Sequence, residues 1–387
     1  VLAGAGSGKT KVLTSRIANL IENGISPYNI LAITFTNKAA KEMRDRLYKY
    51  NINDVDKIFV GTFHSFGLKI IRENLDACGL DKNFSILDSD DVLSIIRKIL
   101  KDMNYDPKSV NPNYIKNRIS YIKNELLNDN QISQYFSSAN EHIVIDVYNT
   151  YKDILTKNNS VDFDDLLLLP TKLFQQNDDI LDKYQEHYKY ILIDEYQDTN
   201  NVQYTLSKLL SSKYRNLFAV GDPDQSIYMF RGANYKNILN FERDYPDAKI
   251  IPLLVNYRST QNILNAANEV ISHNLERKEK KLISNLGSGE KIKFTSSYDE
   301  KHEITLVVEE INKLLKSGYT YNDIAIFYRT NAQSRVVEEA ILKANLPYTV
   351  VGSYYFYSRK EIKNLICYLR LIVNPHDEDR KSTRLNS

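Results

Sequence analysis

Two carboxylates follow a short apolar run near the middle of the chain. Residues 190–200 read YILIDEYQDTN, in which a brief apolar run is followed at once by Asp194 and Glu195. The run is too short for a helix and indicates the end of a buried strand in a parallel sheet. Because ligands of open α/β sheets bind beyond the carboxyl ends of strands, one acid can hold Mg²⁺ through water and the other can deprotonate an attacking water. A solvated strand end that carries two charges is the alternative interpretation.

The start of the chain, VLAGAGSGKT, has the composition of a phosphate-binding loop. The residues expected to contact the nucleotide are Gly6, Ser7, Gly8, Lys9 and Thr10. Glycines allow backbone N–H groups to face the phosphates, Lys9 reaches the outer phosphates, and the hydroxyl of Thr10 can bind Mg²⁺. A helix predicted over residues 11–23 directs the positive end of its dipole at the same anion. Ala3 replaces the first glycine of the general pattern, and a glycine-rich turn before a helix is the alternative.

Two later segments supply groups suited to a terminal phosphate. Residues 216–232 read NLFAVGDPDQSIYMFRG, and they predict a buried strand, a turn and then Gln225, whose amide can sense a terminal phosphate. A further strand predicted over residues 250–255 leads into Tyr257 and Arg258. Tyr257 can stack on an adenine, and Arg258 can neutralise charge that develops on a transferring phosphoryl group. A surface ion pair is the alternative for Arg258.

Aromatic residues beside hydroxyl and amide groups end two other predicted strands, over residues 30–35 and 57–62. Rings of this kind stack on the bases of single-stranded nucleic acid while the polar groups hold phosphates. The candidate DNA-binding residues here and in the segment after Gln225 are Phe35, Asn37, Phe63, His64, Tyr228 and Phe230. Core packing of the phenylalanines and helix capping by His64 is the alternative. The repetition of the pattern at two equivalent strand ends favours DNA binding.

These residues require an alternation of strands and helices to position them. Helices are predicted over residues 37–50 and 63–75, and residues 83–185 read as amphipathic helices without a buried strand. Within them VDFDDLLLL (161–169) indicates a helix capped by Asp162 rather than a metal site. After a linker at residues 285–290 the alternation resumes. The strands expected there are 291–296, 324–328 and 348–351, and the helices are 299–316, 332–344 and 359–372.

Composition narrows the class of protein. The 387 residues include 26% charged and 42% hydrophobic residues, which is enough for two or three globular domains. The net charge of +2 requires any nucleic-acid contact to use a local groove. Cys78 and Cys367 fit neither a disulfide framework nor a metal cluster, which makes a reducing, cytoplasmic compartment the default. No apolar run approaches the length of a membrane span, so no membrane partner is expected.

Six segments together identify a family. AGAGSGKT, AITFTNKAA, GTFHSF, DEYQDTN, VGDPDQSIYMFRGA and NYRST occur in the order seen in the UvrD/PcrA/Rep-like superfamily 1 DNA helicases, and the resemblance extends over residues 1–379. It implies an α/β fold, in which a P-loop NTPase (RecA-like) parallel sheet with a helical inserted domain is followed by part of a second RecA-like domain. It also implies ATP and Mg²⁺ as cofactors, and 3′ to 5′ movement on single-stranded DNA and at junctions with duplex. The implied role is in bacterial DNA repair or replication restart, and the oligomeric state is left open.

The resemblance assigns a role to each matching residue. Lys9 and Thr10 would serve the nucleotide and Mg²⁺, and Asp194 would bind Mg²⁺. The remaining assignments are Glu195 as general base, Gln225 and Arg258 at the γ-phosphate, and Tyr257 at the adenine. Phe230 stands where the family usually has the base-stacking Trp, and Lys11 replaces a common Arg.

The resemblance also predicts domain boundaries. These are residues 1–82 with 186–258 for the first RecA-like domain, 83–185 for its insertion, 259–368 for part of the second domain, and 369–387 for the start of a second insertion. The adenine-reading segment of the family would precede residue 1, and the late motifs would follow residue 387. The chain is therefore expected to be an inactive fragment whose closing RKSTRLNS is non-native.

Two other functions remain open from the residues. A nucleic-acid-binding protein could use ATP only as a ligand, although binding alone needs neither a base at Glu195 nor a phosphate sensor at Gln225. The chain could also be the helicase portion of a helicase–nuclease, which its own residues do not distinguish.

Overall fold

The computed structural model describes residues 1–50, 52, 54–106, 109–138, 141–229, 232–274 and 280–351. The chain divides into two compact units, the first formed by Val1–Glu290 and the second beginning at Lys291. Within the described ranges, no helix combines the length and the apolar character that crossing a membrane requires.

The first unit contains ten strands and thirteen α-helices among its described residues, besides short 3₁₀ helices. The strands are β1 (Leu2–Ala3), β2 (Ile30–Thr34), β3 (Phe59–Thr62), β4 (Ser85–Ile86), β5 (Ser160–Val161), β6 (Tyr190–Ile193), β7 (Leu217–Ala219), β8 (Pro252–Leu253), β9 (Val255–Asn256) and β10 (Ile283–Ser284). The helices are α1 (Lys9–Glu22), α2 (Asn37–Tyr48), α3 (Phe63–Glu73), α4 (Ser89–Asp102), α5 (Pro112–Asn124), α6 (Asp129–Tyr135), α7 (His142–Lys157), α8 (Asp165–Gln176), α9 (Asp178–His187), α10 (Asn201–Ser211), α11 (Lys236–Leu239), α12 (Phe241–Asp244) and α13 (Gln261–Ser272).

The central sheet is parallel and has the strand order β3-β2-β6-β7. β1 continues it beside β7, because Leu2 bridges to Gly221, and β1 also pairs in parallel with β8. The carboxyl ends of all these strands therefore meet at one edge of the sheet. That edge receives the phosphate loop after β1, the two acids after β6 and the Gln225 segment after β7.

The apolar sequence of β2 explains why it lies at the centre of the sheet. Every residue of the strand is buried, and successive side chains enter different cores. Leu31 and Ile33 belong to the core beneath α3, α8 and α10, whereas Ile30 and Ala32 belong to the core beneath α1 and α2. Continuous apolar strands with helices on both faces are typical of parallel α/β sheets. The predicted α/β class with a parallel P-loop sheet is confirmed.

The helical insertion has a core of its own. Helices α8 and α9 belong to the predicted segment 83–185 but do not contribute to this core. This core is formed by buried residues of α4 to α7, from Leu87 to Leu155. Helices α8 and α9 instead place Leu167, Phe174 and Tyr184 in the core of the sheet. The prediction that the insertion lacks strands was wrong, because β4 and β5 pair in parallel at its base. Two-residue strands are too short to produce a recognisable period in the sequence.

The acids of VDFDD surround a buried lysine. Lys123 lies 2.7 Å from a carboxylate oxygen of Asp162 and 2.7 Å from one of Asp165, and its side chain is 2% exposed. The Oδ1 of Asp162 accepts from the backbone N–H of Asp165 at 2.9 Å, although the helix itself begins at Asp165 with Asp164 as the N-cap residue. Tyr151 also donates its hydroxyl to Asp162. These ion pairs therefore connect α5 of the insertion to the start of α8, which packs in the core of the sheet.

Several predicted strands differ from those observed. Residues 250–255 form parts of two strands rather than one, since β8 pairs with β1 while β9 pairs with β10.

In the second unit the described residues contain α14 (Glu300–Lys316) and α15 (Asn331–Lys343), close to prediction. The predicted strands 291–296, 324–328 and 348–351 are not formed there, and Phe294 and Phe327 are 95% and 94% exposed. An apolar run predicts burial, but a strand exists only where a neighbour completes its hydrogen bonds. The predicted helix 359–372, with Cys367, lies outside the described residues.

Candidate nucleotide and nucleic-acid site

The phosphate loop has the backbone geometry of an anion-binding turn. Gly6 and Gly8 adopt φ values of +71° and +94°, which residues with a Cβ rarely reach. Gly8 is the N-cap of α1 and offers no side chain, so the first N–H groups of the helix have no side-chain cap. Uncapped N–H groups and the helix dipole together make a binding position for phosphate. Ser7 stabilises the turn by donating its hydroxyl to the carbonyl of Gly4 at 2.8 Å.

Asn256, at the end of β9, holds the phosphate loop against the following segment. Its buried side chain donates to the carbonyl of Ala5 and accepts the backbone N–H of Arg258 at 2.8 Å. The N–H of Tyr257 donates to the carbonyl of Gly6 at 2.9 Å. The side chains of Tyr257 and Arg258 are exposed. Both are therefore beside the loop and accessible, as their predicted contacts with adenine and γ-phosphate require.

Lys9 joins the candidate base and the candidate phosphate sensor. Its Nζ donates to Oε2 of Glu195 at 2.8 Å and to Oε1 of Gln225 at 3.1 Å. These partners are 186 and 216 residues away in the sequence. Glu195 adopts a left-handed conformation with φ of +50°, a costly backbone state for a residue other than glycine, and one that concentrates at functional sites. The fold thus brings three predicted catalytic residues into direct contact.

A buried carboxylate beside this cluster is suited to a divalent cation. Asp194 is 6% exposed, and burial, followed by the charge of Glu195, raises its pKa to about 6. Asp198 is also 6% exposed, and within the described part of the chain its Oδ1 has no hydrogen-bond partner. A cation would relieve both unfavourable charges. Thr10, in the first turn of α1, offers the hydroxyl that was predicted to share the ion with Asp194. The residues present therefore fit a Mg²⁺-bound nucleotide.

Two buried polar residues of the site were not predicted. The Nε2 of Gln197 donates to Oε2 of Glu195 at 2.9 Å, and its Oε1 accepts the N–H of Asp222 at 2.9 Å. Asp222 in turn accepts a hydrogen bond from Nε2 of Gln225 at 2.5 Å. Gln197 and Asp222 therefore link the loop after β6 to the loop after β7. Their presence inside the motifs DEYQDTN and VGDPDQ was the available signal.

Of the predicted DNA-binding aromatics, two form a stacked pair. The rings of Phe35 and Tyr228 lie 5.6 Å apart with an interplanar angle of 24°, and both are half-buried. Asn37 is exposed nearby at the start of α2. Phe63, in contrast, is 3% exposed and packs in the core of the sheet, so its ring is not accessible to a base. Phe230 and Arg231 lie outside the described residues.

A second stacked pair contains an unpredicted residue. The ring of His64 lies 3.8 Å from that of Phe163, which is 57% exposed. Burial lowers the pKa of His64 to about 4, so its imidazole is neutral at physiological pH. His64 can therefore support an exposed aromatic surface but adds no positive charge for phosphate. No separate signal pointed to Phe163, because its neighbours in the sequence indicate the start of a helix.

Comparison with known proteins identifies the family of this chain. The family model described as the UvrD/REP helicase N-terminal domain matches residues 1–246. The chain belongs to the UvrD/REP helicase family. The model of the UvrD-like helicase C-terminal domain matches residues 251–385. The resemblance inferred from the six motifs is confirmed.

Relatives of the UvrD/REP family in staphylococci are similar over nearly the whole chain. This chain is 50% identical over 379 residues to the ATP-dependent DNA helicase PcrA of Staphylococcus epidermidis. It is 49% identical over 379 residues to the ATP-dependent DNA helicase PcrA of Staphylococcus aureus. Each alignment covers 98% of this chain and 52% of the relative. The chain therefore spans about half the length of the curated relatives it matches.

Proposed function

We propose that the protein is the ATP-hydrolysing part of a DNA helicase that moves along single-stranded DNA. The observation that carries the proposal is the contact of Lys9 with both Glu195 and Gln225 at the N-terminus of α1. A protein that only binds ATP needs the loop and its lysine. It does not need a carboxylate and an amide held at the same point, which are the groups that activate and orient water.

The contacts of Lys9 suggest which groups would act on bound MgATP. Lys9 holds the carboxylate of Glu195 beside the phosphate loop through the hydrogen bond from its Nζ to Oε2. Bound MgATP supplies the phosphoryl group and the divalent charge. With MgATP bound, Lys9 would contact a phosphate oxygen and the carboxylate of Glu195 would accept a proton from the attacking water. Lys9 carries three N–H donors, so it would contact the phosphate while it still donates to Oε1 of Gln225.

The DNA would bind across the carboxyl edge of the sheet. Phe35 and Tyr228 provide a stacked pair at that edge, and the exposed ring of Phe163 on His64 provides a second platform. Stacking on aromatic rings binds single strands with little sequence preference. The 3′ to 5′ direction, the preference for junctions and a role in repair or replication restart rest on the family resemblance. So do the predicted domain boundaries.

The test begins with binding to this chain. A fluorescent MgATP analogue and a labelled oligothymidylate should both bind, and Lys9→Ala should weaken nucleotide binding roughly tenfold or more, as loss of a hydrogen bond to a charged group does. Lys41→Ala, which removes an exposed lysine of α2, is the matched control. Equal nucleotide affinity in the Lys9 variant and the control would refute the proposal.

Turnover is measured in a chimaera in which residues 1–379 replace the matching part of the S. epidermidis relative. DNA-stimulated phosphate release and unwinding are expected there. The expectation that this chain alone shows no such turnover stays a prediction, and the same assay on residues 1–387 tests it. A chimaera that binds both ligands but releases no phosphate would favour a protein that uses ATP only as a ligand.

A further inference from the structure

A buried lysine lies between two carboxylates behind the nucleotide site. Lys280, shortly before β10, forms ion pairs with Asp222 and with Asp224, the latter at 3.1 Å. The three side chains are 8%, 4% and 9% exposed. Lys280 and Asp222 are 58 residues apart in the sequence, so the pair joins the loop after β7 to the segment that follows α13. A charge at this depth is costly unless it is paired.

Asp222 contacts both Lys280 and Gln225. Its Oδ2 accepts from Nε2 of Gln225 at 2.5 Å, while its Oδ1 accepts from Lys280 and from the N–H of Asp224 at 3.0 Å. The orientation of the Gln225 amide follows from chemistry, because an ionised carboxylate only accepts and a lysine only donates. Nε2 must face Asp222, and Oε1 must face Lys9, as observed at 3.1 Å. The contacts form one chain from Lys280 to the phosphate loop.

We infer that Lys280 is a positioning residue of the nucleotide site, which keeps Asp222 ionised so that Asp222 holds Gln225 with its Oε1 directed at Lys9, the cation expected to contact the terminal phosphate. The inference rests on the proposed nucleotide-binding function. Without Lys280, the buried carboxylate of Asp222 would lose the cation that faces it and would take up a proton more readily. A neutral acid is a weaker acceptor than a carboxylate, so Gln225 would rotate more freely.

The position of Lys280 relative to Lys9 supports the same role. Burial, and then the charge of Lys9, lowers the pKa of Lys280 to about 8, so the group stays mainly protonated at neutral pH. Repulsion between the two lysines disfavours a direct approach of Lys280 to Lys9. Lys280 thus acts on the phosphate position through Asp222 and Gln225.

A nucleotide with a third phosphate should therefore be recognised less well when Lys280 is changed. The affinities of MgADP and of the Mg²⁺ complex of adenylyl imidodiphosphate are compared on the whole chain by displacement of a fluorescent ADP. In Lys280→Met the preference for the triphosphate should fall by roughly tenfold, while the ADP affinity changes little. Lys280→Arg should restore the preference, and Lys281→Met, at the adjacent exposed lysine, should leave it unchanged.

A double-mutant cycle with Gln225→Ala separates positioning from a general effect on folding. Once Gln225 is absent, Lys280→Met should reduce the triphosphate preference no further. If Lys280→Met weakens both nucleotides equally, or if its effect persists without Gln225, Lys280 is structural and the inference is wrong. Lys280→Gln, which keeps a donor, provides the same comparison if the methionine variant melts early. A wild-type chain that binds neither nucleotide would instead refute the proposed function.

Discussion

Nζ of Lys9 lies 2.8 Å from Oε2 of Glu195, so the cation of the phosphate loop is paired with the candidate base. The Lys9 side chain is 11% exposed and that of Glu195 is 34% exposed, so the lysine is largely covered and the carboxylate is half-buried. Water can therefore reach the carboxylate of Glu195 while the carboxylate stays within hydrogen-bond distance of Lys9. The group expected to accept a proton from water therefore lies beside the cation expected to bind phosphate.

Glu195→Gln should separate nucleotide binding from hydrolysis. The amide keeps the shape of the side chain but cannot accept a proton from water, so the chimaera should bind MgATP normally while phosphate release falls by about 10²–10⁴-fold. The removal of one partner of Lys9 should also leave nucleotide affinity equal or higher. Single-turnover phosphate release at saturating ATP measures the effect. Normal turnover per bound ATP would show that Glu195 is not the base.

The residue types of this site could be predicted, because the chemistry of phosphate transfer restricts them. Lys9, Glu195 and Gln225 are each recognisable from a short motif, and the fold brings them together. Lys280 could not be predicted in the same way. Its role depends on a partner 58 residues earlier, and a lysine in a charged segment reads as a solvated surface residue.

The segments at residues 34–37 and 62–65 have the same predicted pattern, but only the first has an accessible phenylalanine. Thr36 caps α2 and Thr62 caps α3, each accepting a backbone N–H at 3.1 Å. Phe35 precedes its cap and stays accessible at the sheet edge, whereas Phe63 follows its cap as the first residue of the helix and enters the core. Whether a phenylalanine precedes or follows its capping threonine depends on the residue at which the backbone begins the helix. Composition alone could not distinguish the two rings.

Phe35→Ala should weaken binding of single-stranded DNA by about 1–3 kcal/mol, the usual contribution of one base–aromatic stack. The loss should be similar for oligothymidylate and mixed sequences, because every base offers a π-face. Nucleotide affinity should not change. Tyr28→Ala is a matched control, since Tyr28 is an exposed aromatic residue close to the opposite end of β2. Fluorescence anisotropy measures both variants, and equal affinities would exclude Phe35 from the DNA surface.

His64 should make stability depend on pH. Burial lowers its pKa to about 4, whereas an unfolded histidine titrates near 6.5. The unfolded state therefore binds more protons in between, so the contribution is fully present above about pH 6.5 and is lost as the pH falls toward about 4. His64→Gln should lose less thermal stability than wild type between about pH 7.5 and about pH 5. His273→Gln, at an exposed position, is the control. Identical pH profiles for wild type and His64→Gln would contradict the prediction.

Lys123→Met should destabilise the first unit by about 3–5 kcal/mol, because removing one member of a buried ion pair leaves the other charges without compensation. Lys123 is the cation for both Asp162 and Asp165. Although burial alone would lower the pKa of Lys123, the charges of Asp165 and Asp162 raise it. The substitution of Lys101, an exposed lysine of α4, by Met should cost less than about 1 kcal/mol.

The dependence of this loss on pH distinguishes charge from packing. Burial raises the pKa of Asp165 to about 6 even with Lys123 present, and removal of the cation will raise it further. A carboxyl group whose folded pKa exceeds its unfolded value is stabilising at low pH and loses that contribution as the pH rises. The deficit of Lys123→Met, measured by urea unfolding, should therefore be larger at about pH 8 than at about pH 5. A deficit that is equal at both pH values would mean that lost packing, and not the buried carboxylates, causes it.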